Sequence, residues 1–281
     1  MGIRLELARY GKARVRLVSV RREPDTHHLR ELTVDVACEG DFAESYATDD
    51  NRRVLPTDTM KNTVYALARR EPVGALETFG ERLGREFLDE CGWLGRVQVD
   101  LVGHRWTRCP HGDGGHPHAF VSAGGEVTIA SVTSTRDGAE IRSGLDGLEL
   151  LKTTASGFVG FPRTRYTTLP ETRDRILRTI VSSRWSWRSR PGDFDGTNAA
   201  VRAAFLDAFA DAYSPSVQFT LQRMAERALE AVSELATIHL SLPNRHCLLV
   251  DLTPFGLDNP QQVFVATDEP HGLIEATFRR T

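Results

Sequence analysis

No stretch of this 281-residue chain is long and apolar enough to span a membrane, which takes about 20 consecutive apolar residues. The first residues, "MGIRLELARYGKARVRLVSV", are charged from Arg4 onward and lack the apolar block of a secretory signal. Charge of one sign is also lacking. The formal net charge is only -3, so no basic or acidic excess argues for nucleic acid or an anionic lipid surface as partner. Cysteine is sparse: Cys38, Cys91, Cys109 and Cys247 lie far apart and form no CxxC pair, which argues against a redox motif and a clustered zinc site. No Gly-x-Gly-x-x-Gly fingerprint for a dinucleotide occurs. These absences give the expectation of a cytoplasmic protein that binds neither nucleic acid nor membrane.

What is present is a packed-core composition, 40% hydrophobic, with a repeating order of patterns. "ARVRLVSV" (13–20) and "RELTVDVAC" (30–38) alternate as strands, with Leu32, Val34, Val36 and Cys38 on one face. Two helical stripes follow, Met60, Val64, Leu67 and Ala68, then Leu76, Phe79, Leu83 and Phe87. "RVQVDLVGHRW" (96–106) and "HAFVSAGGEVTIASVTS" (118–134) alternate again. The remainder repeats this order: a short strand "GLELLKTT", an irregular connection, a strand at 175–188, helices at 197–212 and 217–236, and closing strands in "IHLSLPNRHCLLVDL" and "QVFVATD". The expected fold class is α+β, two units of antiparallel sheet plus two helices, at 1–138 and 139–281. Sheets with so few strands leave open edges, which predicts edge pairing between chains or barrel closure.

Several local groups carry chemistry-bearing side chains. His104, Cys109, His111, His116 and His118 cluster on or near one Gly-rich loop, but no metal-ligand template fits them, and turn chemistry explains "DGG". In "PTDTMKNT", Thr57 and Asp58 stand at a helix start, where they serve either as caps or as a ligand site with free backbone N–H groups. Arg175 and Gln218 together could grip a flat heterocycle, and each alone is an ordinary surface residue. Asn244 and His246 in "SLPNRH" would share a face if 244–252 is extended, either as a site or as a solvated strand end.

"YGK", "TDTMKNT", "GHRWTR", "GFVGFPRTRYTTLPETRDRIL", "SVQ" with "MAERAL", and "SLPNRH" occur in order along the whole chain. In this the chain resembles the uricases, cofactor-independent urate oxidases. The resemblance implies tandem T-fold units in a tunnel-forming homotetramer with active sites at subunit interfaces. It implies oxidation of urate by dioxygen and water to 5-hydroxyisourate and hydrogen peroxide, with no cofactor and no metal. Residue by residue, Lys12 and Thr57 match the catalytic pair and His246 the histidine of the proton relay. Phe158 matches the aromatic that stacks on the purine; Arg175 and Gln218 match the pincer on its polar edges. Val217 lends a backbone group, Asp58 binds substrate mainly through its main chain, and Asn244, with Thr57, matches the dioxygen or water site. The family pattern further implies that Lys12, Thr57 and His246 come from one chain, and Phe158, Arg175 and Gln218 from another. The alternative is a non-oxidative purine- or pterin-binding T-fold enzyme, for which the expected anchoring glutamate and zinc ligands have no match.

Overall fold

The computed structural model describes residues 2–211 and 213–281. Two compact units divide at Met1–Gly144 and Leu145–Thr281. In the first, strands β1 (Tyr10–Arg22) and β2 (His27–Gly40) are followed by a short helix α1 (Glu44–Ala47), by α2 (Thr57–Arg70) and α3 (Leu76–Glu90), and by β3 (Leu94–Arg108) and β4 (Phe120–Thr135). The strands lie in the order β1-β2-β3-β4, each pair antiparallel. Alternation places Leu32, Val34, Val36 and Cys38 of β2 and Val97, Val99 and Leu101 of β3 in the core. Met60, Val64 and Leu67 of α2 and Phe79, Leu83 and Phe87 of α3 complete the same cluster. Each such side chain contributes roughly 1.5–3 kcal/mol by leaving water, which is why the helical and strand periodicities share one solution.

Strand β5 (Gly138–Lys152) begins in the first unit and passes into the second, which continues with β6 (Leu177–Trp187), α4 (Phe194–Asp211), α5 (Val217–Ala231), β7 (Leu235–Asn244), β8 (Cys247–Leu249), β9 (Phe264–Ala266) and β10 (Gly272–Arg279). Its sheet runs β5-β6-β7-β10. Val181 and Trp185 of β6, Val201 and Phe205 of α4, Leu221, Met224 and Ala225 of α5, and Ile238 and Leu240 of β7 form the second core.

Four expectations need correction. The short strand at "GLELLKTT" is the end of a strand that starts at Gly138, after a two-residue Arg136–Asp137 turn from β4. The Asp-Gly pair, with Gly138 at φ 147°, is the hairpin signal that reveals it. Helix α5 stops at Ala231 and not at 236: Val232 is its C-cap, and Leu235, though at helical spacing, opens β7. The first of the two helices is α4 at Phe194–Asp211; position 212, where the expected helix ended, lies outside the described residues. The strand that closes the sheet beside β7 is β10, not "QVFVATD", of which only Phe264–Ala266 is extended, in a separate ribbon with β8.

Candidate functional site

In the first unit the polar residues gather where β1 passes the start of α2. Tyr10 packs edge-on against Phe42, centroids 4.8 Å apart, and its Oη accepts a 2.8 Å hydrogen bond from the Leu55 amide, which fixes the chain entering α2. Gly11 lies so close to β2 that a Cβ there would come within 1.8 Å of the Val36 carbonyl oxygen; no other residue fits. Pairing then slips between Lys12 and Val15, with Arg14 at φ 59° and its amide donating to the Asp35 carboxylate. A bulge of this kind re-aims the neighbouring side chains, here the half-buried Lys12.

Helix α2 starts at Thr57, with Pro56 as its N-cap, and no side chain caps it. Of the two readings of Thr57 and Asp58, as caps or as part of a ligand site, capping is therefore not what the structure shows. The first helical bond runs from the Met60 amide to the Pro56 carbonyl, 3.1 Å, so the amides of Thr57, Asp58 and Thr59 have no acceptor within the helix. The Asp58 carboxylate is held by Lys61 and by Asn62 (3.0 Å), leaving its backbone N–H as its group for a ligand. Its pKa is lowered chiefly by Lys61, and the Lys12 charge acts in the same direction. Free amides, a hydroxyl and a lysine in one corner suit an oxygen-rich, electron-rich ligand.

The second unit gathers its set at the entry to β6. The Ser214 amide donates to the Ala155 carbonyl (2.9 Å) and the Gly157 amide to the Ser214 carbonyl (2.8 Å), so segment 155–157 is pinned to the start of α5. There Ser216 caps the helix by accepting from the Phe219 amide, 3.1 Å, and Val217 and Gln218 are its first two residues. Buried Thr220 donates to Ser214 Oγ, 2.7 Å, tying the helix to the same segment. Phe158 pairs with Thr172 through 2.7 and 3.1 Å backbone bonds, and the Arg175 amide returns to the Ser156 carbonyl, 2.9 Å. The Arg175 guanidinium lies 5.6 Å from the Phe158 ring centre. Burial pushes its pKa down, and its Nε is buried without a hydrogen-bond partner among the described residues. A buried unpaired donor is costly, so a ligand that accepts from it is favoured.

Asn244 ends β7, paired with Gly272 of β10. The regular strand does not continue through His246, as the sequence pattern implied; Arg245 makes a single bridge to Arg178, three residues beyond Arg175, and His246 lies between β7 and β8. The His246 carbonyl accepts from the Thr267 amide (2.9 Å) and hydroxyl (3.2 Å), and Arg245 bonds Asp268 at 2.6 Å. The turn that breaks the strand is thereby fixed from a segment more than twenty positions away. His246 thus shares a unit with Phe158, Arg175 and Gln218, and not with Lys12 and Thr57.

The nine residues singled out by sequence therefore fall into two groups, Lys12, Thr57 and Asp58 in one unit, and Phe158, Arg175, Val217, Gln218, Asn244 and His246 in the other. Residues not foreseen are Tyr213, whose hydroxyl donates to the Arg173 carbonyl at 3.0 Å, and Ser214, Thr267 and Asp268, which hold the others in place; Ser216 alone carried a readable signal, a serine directly before a helix. In the histidine group, His104 bonds Thr33 at 2.9 Å, and the rings of His111, His116 and His118 pack edge to face. Among the described residues no group of three or more His, Cys, Asp or Glu is arranged to hold a metal ion.

Two successive ββααββ units, each an antiparallel sheet with a pair of helices, define a tandem T-fold protein. A family model described as uricase matches residues 8–133 and again 141–275, one match for each half of the duplicated order. The chain is 43% identical to the uricase of Arthrobacter globiformis over 271 residues, 96% of this chain and 88% of that protein. It is 38% identical to the uricase of Aspergillus flavus, over 99% of this chain and 97% of the relative. The crystal structure of the A. globiformis uricase superposes with a TM-score of 0.93 at 42% identity, covering all of this chain and 96% of the other. A Bacillus sp. TB-90 urate oxidase, at 21% identity and a TM-score of 0.83, shares the fold. The chain belongs to the uricase family.

Proposed function

We infer that the chain is a cofactor-independent urate oxidase, which oxidises urate with dioxygen and water to 5-hydroxyisourate and hydrogen peroxide. The observation that carries this reading is that both polar sets are built: a helix start with free amides in the unit that holds Lys12, and a Phe158–Arg175 pair, with Gln218 at the start of α5, in the unit that holds Asn244 and His246. Arg175 and Gln218 grip the carbonyl and ring-nitrogen edge of the purine while Phe158 stacks on its face. The amides of Thr57 and Asp58 receive the opposite edge. Lys12, Thr57 and His246 remove the second proton, which raises the electron density of the purine enough for it to reduce dioxygen. Two electrons pass to dioxygen, which leaves with two protons as hydrogen peroxide, and water adds at C5 and releases its proton to the relay. Asn244, with the Thr57 hydroxyl, holds first the oxygen and then the water, so that no diffusive step separates them.

The active form is a homotetramer in which the Lys12 corner of one chain meets the Phe158 corner of another; His246, two residues from Asn244 and in the same unit as Phe158, comes with the Phe158 corner, in place of the expected grouping with Lys12 and Thr57. The open edges of β1 and β10 and the exposed apolar side chains of Leu248, Val265 and Leu273 support association. The location is cytoplasmic. The chemistry is tested with protein dialysed against a chelator: the urate absorbance band is lost and one dioxygen consumed per urate. An unchanged band with purine still bound would replace oxidation by non-oxidative purine or pterin binding. Subunit exchange between inactive Lys12→Ala and Arg175→Ala proteins regenerates activity if the site is shared; mixed oligomers that stay inactive contradict the sharing.

A further inference from the structure

Phe158 does not stand alone. The Phe161 ring lies 4.8 Å from it, centroid to centroid, with an interplanar angle of 14°. That is a stacked pair, and it leaves Phe158 one face free of Phe161. The Arg163 guanidinium lies 6.0 Å from the Phe161 ring centre, as the Arg175 guanidinium lies 5.6 Å from that of Phe158. The backbone explains how the two rings meet. The Phe158–Thr172 pair closes the loop behind them, and the Gly160 amide donates to Glu171 Oε1 at 2.9 Å, with Gly160 at φ 73° turning the chain so that Phe161 folds back over Phe158. Both rings are only half-buried. Core packing alone does not hold Phe158 in one plane.

We propose that Phe161 is a positioning residue for urate, a second aromatic that fixes the plane of the Phe158 ring on which the purine stacks. This rests on the urate-binding role proposed for Phe158. A half-buried phenylalanine without a stacked neighbour rotates among rotamers, and each bound purine must then select one. With Phe161 in place that selection is already made. The effect belongs to binding and not to chemistry, because Phe161 acts through the plane of the Phe158 ring.

The test compares F161L and F161M, which keep an apolar side chain but no stacking plane, with F161Y, which keeps the plane. The probes are urate turnover and, separately, equilibrium binding of xanthine, a purine dione without the 8-oxo group. We expect F161L and F161M to raise the KM for urate and the Kd for xanthine by about two- to twelvefold, the range of a stacked aromatic pair. The kcat stays within about twofold, the mark of lost uniform binding. F161Y restores both constants to near wild type. Xanthine bound equally well by wild type, F161L and F161M would overturn the proposal, as would F161Y impaired as much as F161L. Wild-type protein that binds xanthine but leaves urate unoxidised would sink the oxidase reading instead, while the xanthine constants still decide the role of Phe161.

Discussion

Gly157→Ala puts a single methyl where the candidate site is most tightly folded. Its Cβ would lie 2.2 Å from Tyr213 Oη, 2.9 Å from the Thr172 carbonyl oxygen and 3.1 Å from Arg173 Cα. The tyrosine is the far end of an exposed side chain and can swing away, but it then gives up its 3.0 Å hydrogen bond to the Arg173 carbonyl. That bond is worth about 1 kcal/mol. The Thr172 carbonyl cannot move as cheaply, because its oxygen accepts from the Phe158 amide at 2.7 Å. Overpacking against backbone adds about 1–3 kcal/mol, so the variant loses about 2–4 kcal/mol in all. For a unit of this size the melting temperature should fall by about 4–16 °C. Any backbone shift moves Phe158 and Arg175 together, and a displacement near 1 Å costs about 10²-fold in kcat/KM. The assay is thermal unfolding alongside urate turnover for G157A, Y213F and the double variant. The double variant should be less impaired than the sum of the singles, since Y213F removes the nearest clash. G157A with wild-type melting and wild-type kcat/KM would refute the reasoning.

Glu31 accepts hydrogen bonds from Arg16 (2.8 Å) and Trp106 (2.7 Å), and these, Arg16 first, hold its carboxyl below the ordinary range. The folded pKa is depressed, so its contribution is complete above the unfolded value of about 4.3 and is lost as pH falls through the folded one; melting curves from about pH 6 down to pH 3 should show E31Q losing less stability on acidification than wild type, and parallel curves would contradict this. Burial beside Cys91 pushes the Cys38 thiol up to about 12, so iodoacetamide should label it only after unfolding, and labelling of native protein at the rate of a free thiol would contradict the assignment. Asn244→Ala should keep purine binding but slow the oxygen and hydration steps, whereas His246→Ala should slow proton removal and shift the pH-rate profile, each by roughly 10². Stopped-flow spectra without and then with oxygen separate the two, and N244A that loses xanthine binding while turning over normally at saturation would make Asn244 a substrate anchor.

Alternation in "ELTVDV" and helical stripes through Met60, Val64 and Leu67 or Phe79, Leu83 and Phe87 determined the ββααββ order, because burial acts on periodicity and periodicity is local. The candidates Lys12, Thr57, Phe158, Arg175, Gln218, Asn244 and His246 were proposed from ordered motifs along the chain, and the fold sorts them into two groups. The extent of β5 could also have been read, from the Asp137–Gly138 pair at the Arg136–Asp137 turn. Other features depend on contacts distant in sequence and left no local pattern. The strand through "SLPNRH" breaks at His246 because Thr267 and Asp268 fasten its backbone and Arg245 from more than twenty positions away. The apolar run in "QVFVATD" reads as a strand, yet it pairs only with β8, since the place beside β7 is taken by Gly272–Arg279. The bulge after Lys12 and the fit of Gly11 against Val36 belong to β2, and the stacking of Phe161 on Phe158 to the loop that Thr172 closes. Pairing energy is decided between partners, and only the tertiary structure chose the partners.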